Sequence, residues 1–203
     1  MPFDLFIFDF DGTLVDSAAL KQAAFYDLFP HDAAATEVVA AVLAEDPEGS
    51  RQRVIREMLR RLGRSGDELE SQLRALVARY TELTDQAVGN AAEFAGASEL
   101  LMALRRAGKR VFVSSNTPEQ PLKLLLQRRG WLPLLDGIAG YPAEKTSTAR
   151  RLLAEQNIRP ARAAVIGDGE SDRASAEAVG AMFFKVQVTG DLQRLGQSWG
   201  LHV

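Results

Sequence analysis

The 203-residue chain is 46% hydrophobic and 25% charged, so it can bury a full core in one domain or in a domain with an insertion. Its formal net charge of −3 offers no basic field for nucleic acid. With no cysteine, and only His31 and His202, it excludes disulfides, thiolate zinc sites, cysteine nucleophiles, histidine metal clusters and a serine–histidine triad.

Residues 3–8 form a run that is apolar except at Asp4, as expected of a strand covered on both faces. From residue 18 to 90 no strand is evident, and Ala, Leu, Glu and Arg recur at helical spacing. Within this interval "SGDE", residues 65–68, supplies an N-cap with Glu68 three residues on, ahead of a helix reaching about Gln86. Residues 89–96 then lead back to the sheet. Helical patterns at 98–107, 119–129, 146–157 and 171–179 alternate with strand-like runs at 110–114, 163–167 and 182–188, and a weaker one at 138–141. Strand alternating with helix implies an α/β fold with a parallel sheet and crossover helices. No apolar run approaches the roughly 20 residues of a membrane span. The N-terminus has no basic leader, so the sequence predicts a cytoplasmic protein without a signal peptide.

Ligands of an open parallel sheet bind outside the carboxyl ends of its strands. The first strand runs out into Asp9 and Asp11, and the run at 110–114 into "SSNTPEQ", residues 114–120. Lys145 opens a helix, and the strand at 163–167 runs into "GDGESD", residues 167–172. Asp9, Asp11, Asp168 and Asp172 thus bring four carboxylates to one edge, with Lys145 the clear cation. Such a cluster needs a hard cation to balance it, and oxygen donors alone favour magnesium over zinc or copper. Thr117 is read as the N-cap of the next helix, with Pro118 at its first position and Gln120 completing a capping box. The free amides there would favour an anion, Ser115 can donate a hydroxyl, and Lys145 can neutralise phosphate charge.

"DFDGTLVDS", "VFVSSN", Lys145 before a helix and "VIGDGESD" together resemble the four ordered motifs of the haloacid dehalogenase (HAD) superfamily, in its phosphoglycolate phosphatase and β-phosphoglucomutase-like group. The resemblance spans essentially the whole chain. It implies a Rossmann-like core made of residues 1–17 and 91–203, with residues 18–90 inserted as an all-helical cap. It further implies that Asp9 is the nucleophile and that Asp11 protonates the leaving oxygen and then deprotonates water. Magnesium would be held by Asp9, the main-chain carbonyl of Asp11, and Asp168, with Asp172 close by. Ser115, Asn116 and Lys145 would hold the phosphoryl group, in a phosphatase acting on a small phosphorylated metabolite. Two departures stand out: Thr146 follows the lysine where many relatives have proline, and the double serine leaves two registers, of which counting from Gly108 favours Ser115 over Ser114.

Other readings of the same residues stay open. A phosphomutase of this family shares every motif, and a phosphorylatable receiver domain also uses paired aspartates, a hydroxyl and a lysine. Receivers, however, lack a large helical insertion after the first strand. A dehalogenase is disfavoured by Asp11, the acid/base typical of phosphoryl transfer. "GYPAEKT", residues 140–146, is not a nucleotide loop, because Glu144 stands where glycine must precede the lysine. The arginine run Arg51, Arg53, Arg56, Arg60 and Arg61 reads mainly as a solvated helix face, with Arg51 the candidate for reading a polar part of the substrate. The sequence does not specify the oligomeric state.

Overall fold

The computed structural model describes all 203 residues, which form two compact units, Met1–Asp16 with Ala91–Val203 and Ser17–Asn90. The first unit holds five parallel strands, β1 (Leu5–Phe8), β2 (Arg110–Pro118), β3 (Gly137–Tyr141), β4 (Ala163–Gly167) and β5 (Met182–Lys185), in the order β3-β2-β1-β4-β5. Helices α5 (Ala97–Arg106), α6 (Glu119–Arg128), α7 (Lys145–Glu155), α8 (Glu170–Val179) and α9 (Asp191–Ser198) belong to the same unit.

β1 is the central strand, in register with both neighbours: Leu5 pairs with Arg110 and Ala163, and Phe8 with Val113 and Ile166. All four of its residues are buried, because alternate side chains enter different apolar layers. Leu5 and Ile7 pack with Phe112, Val165, Leu152 and Ala176, whereas Phe6 lies 5.2 Å from Trp199 in a cluster with Phe3 and Phe184. Asp4 sits just before this strand and is not a buried charge. It accepts from Lys109 Nζ at 2.9 Å and Arg162 Nε at 2.6 Å, while its amide donates to the Arg162 carbonyl at 2.8 Å. These contacts tie the amino end of β1 to the entries of β2 and β4. The hydrogen bond from Lys109 leads in holding the Asp4 carboxyl below its ordinary range, with Arg162 adding to it and desolvation opposing it.

Three elements of the sheet unit depart from expectation. β2 runs on to Pro118, and β5 stops at Lys185 rather than reaching residue 188. α9 is not expected from the sequence, because its short, glycine-containing pattern is weak by propensity. It is held by burial of Leu192 and Gly196; a Cβ at Gly196 would come 2.4 Å from Val203 Cγ2.

The second unit consists of α1 (Ala18–Tyr26), α2 (Ala33–Glu45), α3 (Arg51–Arg61) and α4 (Gly66–Asn90), the last running past the expected end at Gln86. Phe25, Val39, Ile55, Met58, Leu73 and Tyr80 fill its own core. Asp32 caps α2 by accepting from the Ala35 amide at 2.8 Å, and Ser50 caps α3. The arginine run is paired at the surface: Arg53 with Asp46, Arg56 with Glu70, Arg60 with Glu57, and Arg61 with Glu45 and Glu57. This accounts for Arg53, Arg56, Arg60 and Arg61 as a solvated, charge-balanced face. No helix of the chain is long and apolar enough to cross a membrane.

Leu104 of α5 is fully buried in the first unit. Leu104→Ala is expected to cost about 2–5 kcal/mol of stability, read as a lower urea midpoint with an unchanged slope.

Candidate active site

The loop after β1 is shaped by short backbone bonds. Asp9 N–H donates to the Ile166 carbonyl at 2.8 Å, which fixes the residue at the carboxyl end of the central strand. Gly12 N–H donates to Val15 O at 2.8 Å, and the Leu14 and Val15 amides both donate to Phe10 O at 3.0 Å. Gly12 has φ +74°, and a Cβ there would stand 2.2 Å from Asp168 Oδ2. No other residue allows both that conformation and that approach. Thr13, fully buried, donates its hydroxyl to Asp168 Oδ1 at 3.3 Å. "DGT" therefore folds the loop back onto the end of β4.

The second acidic pair is positioned in a similar way. Asp168 directly follows β4, and a Cβ at Gly167 would come within 2.2 Å of Asp172 Cγ. Asp172 lies in the first turn of α8, where a negative charge is favoured, and accepts from the Gly169 amide at 3.4 Å. Lys145, first residue of α7, reaches across to both acids, with Nζ 2.8 Å from Asp172 Oδ1 and 3.3 Å from Asp9 Oδ2. Carboxylate oxygens of Asp9, Asp168 and Asp172 lie within 4.8 Å of one another.

Burial sets the electrostatics. Asp9 is 7% exposed, and its desolvation pushes its pKa well above the ordinary carboxylate range. Lys145 works against that shift, while Asp172, Asp11 and Asp168 add to it. Asp172 is likewise raised by burial, with Lys145 opposing. Burial alone would lower the Lys145 ammonium, but Asp9 and Asp172 outweigh it and hold the lysine protonated. One ammonium cannot balance three carboxylates, and Asp9 Oδ1 is buried with no hydrogen-bond partner. An orphaned, buried carboxylate oxygen among oxygen-only donors fits a hard divalent cation such as magnesium.

Asp11 has a different environment. Its Oδ2 accepts from Thr117 Oγ1 at 2.7 Å and lies 3.4 Å from Ser115 Oγ. Thr117 N–H in turn donates to Ser115 Oγ at 3.1 Å. Thr117 is thus not the helix cap that its position before Pro118 and Gln120 led the sequence reading to expect. α6 starts at Glu119, Pro118 is its N-cap, and no side chain caps it. A charge-assisted bond to a carboxylate is stronger than a neutral cap bond, so the threonine turns to Asp11. The available clue was alternation: residues 115 and 117 share one face of an extended strand.

The structure therefore brings together Asp9, Asp11, Lys145, Ser115, Asp168 and Asp172 in the sheet unit, with Thr13 and Thr117 as unforeseen partners. Ser114, on the alternate face of β2, is buried with its hydroxyl unpartnered, and Asn116 is exposed. Arg51 lies in the helical unit, where Nη1 donates to Thr81 Oγ1 at 2.7 Å and its guanidinium stands 5.1 Å from the Tyr80 ring centre.

Comparison with known proteins gives a matching picture. The family model described as haloacid dehalogenase-like hydrolase matches residues 3–180. A phosphoglycolate phosphatase from Rhodospirillum rubrum is 33% identical over 187 residues, covering 86% of this chain and 75% of that protein. The crystal structure of a predicted phosphoglycolate phosphatase from Haemophilus somnus 129PT superposes with a TM-score of 0.70 at 21% identity, covering 91% of this chain and 85% of the other. CbbY from Rhodobacter sphaeroides, in complex with phosphate, gives 0.65 at 24% identity, with 89% and 84% covered. These two structural matches speak for the fold.

Two outcomes follow from the geometry. Lys145→Met leaves buried carboxylates without their cation and should cost about 3–5 kcal/mol in metal-free buffer. Added magnesium should recover part of that loss, as read from thermal melts with and without the ion. Gly12→Ala forces strain of about 1–3 kcal/mol and pushes against Asp168, so calorimetric titration should show weakened magnesium binding.

Proposed function

The chain belongs to the haloacid dehalogenase-like hydrolase family and is a phosphatase, and from that premise we propose that it hydrolyses a small phosphate monoester through an aspartyl-phosphate on Asp9, with magnesium as its cofactor. The observation that carries this reading is Asp9 itself. It is a buried carboxylate at the end of the central strand, with one oxygen near Lys145 and the other unpartnered. A group kept desolvated and unsatisfied in this way is suited to a metal ion and a reacting centre, not to stability.

Asp9 attacks phosphorus in line with the leaving oxygen, and the ester is exchanged for an acyl phosphate on the protein. Asp11, half-buried and hydrogen-bonded to Thr117, is the acid for the first step and the base for the second. Lys145, the Ser115 hydroxyl and the Asn116 amide hold the phosphoryl oxygens in place, so that catalysis is mostly positioning and charge stabilisation. Asp9, Asp168, the main-chain carbonyl of Asp11, and Asp172 at closer or longer range would hold the magnesium, which supplies positive charge against the developing phosphoryl charge. The helical unit is read as the cap that sets specificity, with Arg51 reading an anionic or hydroxylated part of the substrate.

2-Phosphoglycolate heads the substrate panel, since the relative from Rhodospirillum rubrum is a phosphoglycolate phosphatase. Asp9→Asn should reduce magnesium-dependent hydrolysis of 4-nitrophenyl phosphate to the enzyme-free level; retained activity would sink the mechanism. Multiple turnovers of phosphate release are expected, whereas a single stoichiometric phosphorylation would indicate a receiver-like module and an isomerised sugar phosphate a mutase. Arg51→Ala should lower kcat/KM for some members of a phosphate-ester panel and not others, and an unchanged profile removes Arg51 from the site.

A further inference from the structure

We propose that Thr117 is the positioning residue for Asp11, holding its carboxyl group in the orientation from which it passes a proton to the leaving oxygen. This rests on the reading of Asp11 as acid and base, and deepens it. The geometry carries the argument. Thr117 Oγ1 to Asp11 Oδ2 is 2.7 Å, a short charge-assisted hydrogen bond, whereas Ser115 Oγ is at the margin of bonding distance, 3.4 Å. Of these two hydroxyls, threonine's is therefore the stronger anchor.

Thr117 is also built to be rigid. It is 3% exposed, lies within β2, and its amide is tied to Ser115 Oγ at 3.1 Å. As a β-branched residue in a strand it has little χ1 freedom. Asp11, by contrast, lies on the loop beyond β1 and is only half-buried. A loop carboxyl group held by a fixed hydroxyl loses less entropy on reaching the reactive geometry. Helix capping does not account for the placement, since Pro118 caps α6 without any side-chain bond.

The chemistry gives Asp11 two proton movements. As an Asp9 oxygen bonds to phosphorus, the ester P–O bond breaks, its electron pair goes to the leaving oxygen, and the proton on Asp11 follows it. Water then attacks phosphorus and returns a proton to Asp11, and the bond to Asp9 breaks to regenerate both groups. The Thr117 hydroxyl on Oδ2 fixes the plane of the carboxyl group from which the proton leaves. Orientation of Asp11 matters most where the leaving group is strongly basic. An alkoxide needs the proton as it departs, but 4-nitrophenolate does not.

The test is the ratio of kcat/KM for 2-phosphoglycolate, or another small alkyl phosphate the enzyme accepts, to that for 4-nitrophenyl phosphate. This ratio reports the step that phosphorylates Asp9. Thr117→Val removes the hydroxyl at nearly constant shape, and should lower the ratio about tenfold. Thr117→Ser keeps the donor and should stay within about twofold of the parent. Circular dichroism and melting temperature check folding, and Thr117→Ala replaces the valine variant if that does not fold. Equal loss on both esters, loss that serine does not rescue, or an unchanged ratio would each overturn the proposal. Asp11→Asn run alongside distinguishes the two levels. If it lowers the ratio and Thr117→Val does not, only the positioning role fails; if it leaves the ratio unchanged, the acid role of Asp11 fails as well.

Discussion

Asp9 has to be desolvated where it stands, at the end of a strand paired on both sides and packed on both faces, and the surrounding structure answers that cost. An isolated buried carboxylate would protonate rather than ionise. The chain places Lys145 beside it, yet sets Asp168 and Asp172 close enough to leave the balance negative. Glycines at positions 12 and 167 let these acids approach, each occupying the space a Cβ would take. A site assembled only for stability would have balanced its charges; this one keeps a buried oxygen unsatisfied, as a metal site does.

The two acids of the first loop are separated by environment. Asp9 is buried against an ammonium and two further carboxylates, whereas Asp11 is half-buried, faces the hydroxyls of Thr117 and Ser115, and acts electrostatically on the Arg129 guanidinium. Paired carboxylates whose surroundings differ in this way are suited to different chemical roles, which is the basis of the proposed division into nucleophile and proton carrier. The intervening Phe10 is fully buried and stands 6.4 Å from Trp131. Its burial fixes the loop between them.

At the opposite end of the sheet the same physics gives a structural result. Asp4 is a carboxylate next to an apolar strand, but it is accessible and is met by Lys109 and Arg162. Its pKa is lowered where that of Asp9 is raised. One residue type at the two ends of one strand thus ties strands together at one end and keeps a buried oxygen unpartnered at the other. The difference lies in solvent and in the ratio of partners to charges.

Much of this was legible in the chain itself. The apolar run before Asp9 and Asp11, the regular alternation of strand and helix patterns, and the acids at strand ends specified a parallel sheet with a charged edge, because period and burial leave direct marks on sequence. α9 and the end of β5 were not legible, since an eight-residue helix containing Gly196 owes its existence to packing and not to propensity. Nor was the partner of Thr117: local sequence favoured a helix cap, and only the folding of the β1 loop against β2 brought a charged acceptor to its hydroxyl. The sequence by itself determined which chemical groups arrive at the carboxyl edge of the sheet. Tertiary structure alone decided which acid lost its water and which gained hydroxyls, because desolvation and hydrogen-bond geometry depend on neighbours more than a hundred residues away along the chain.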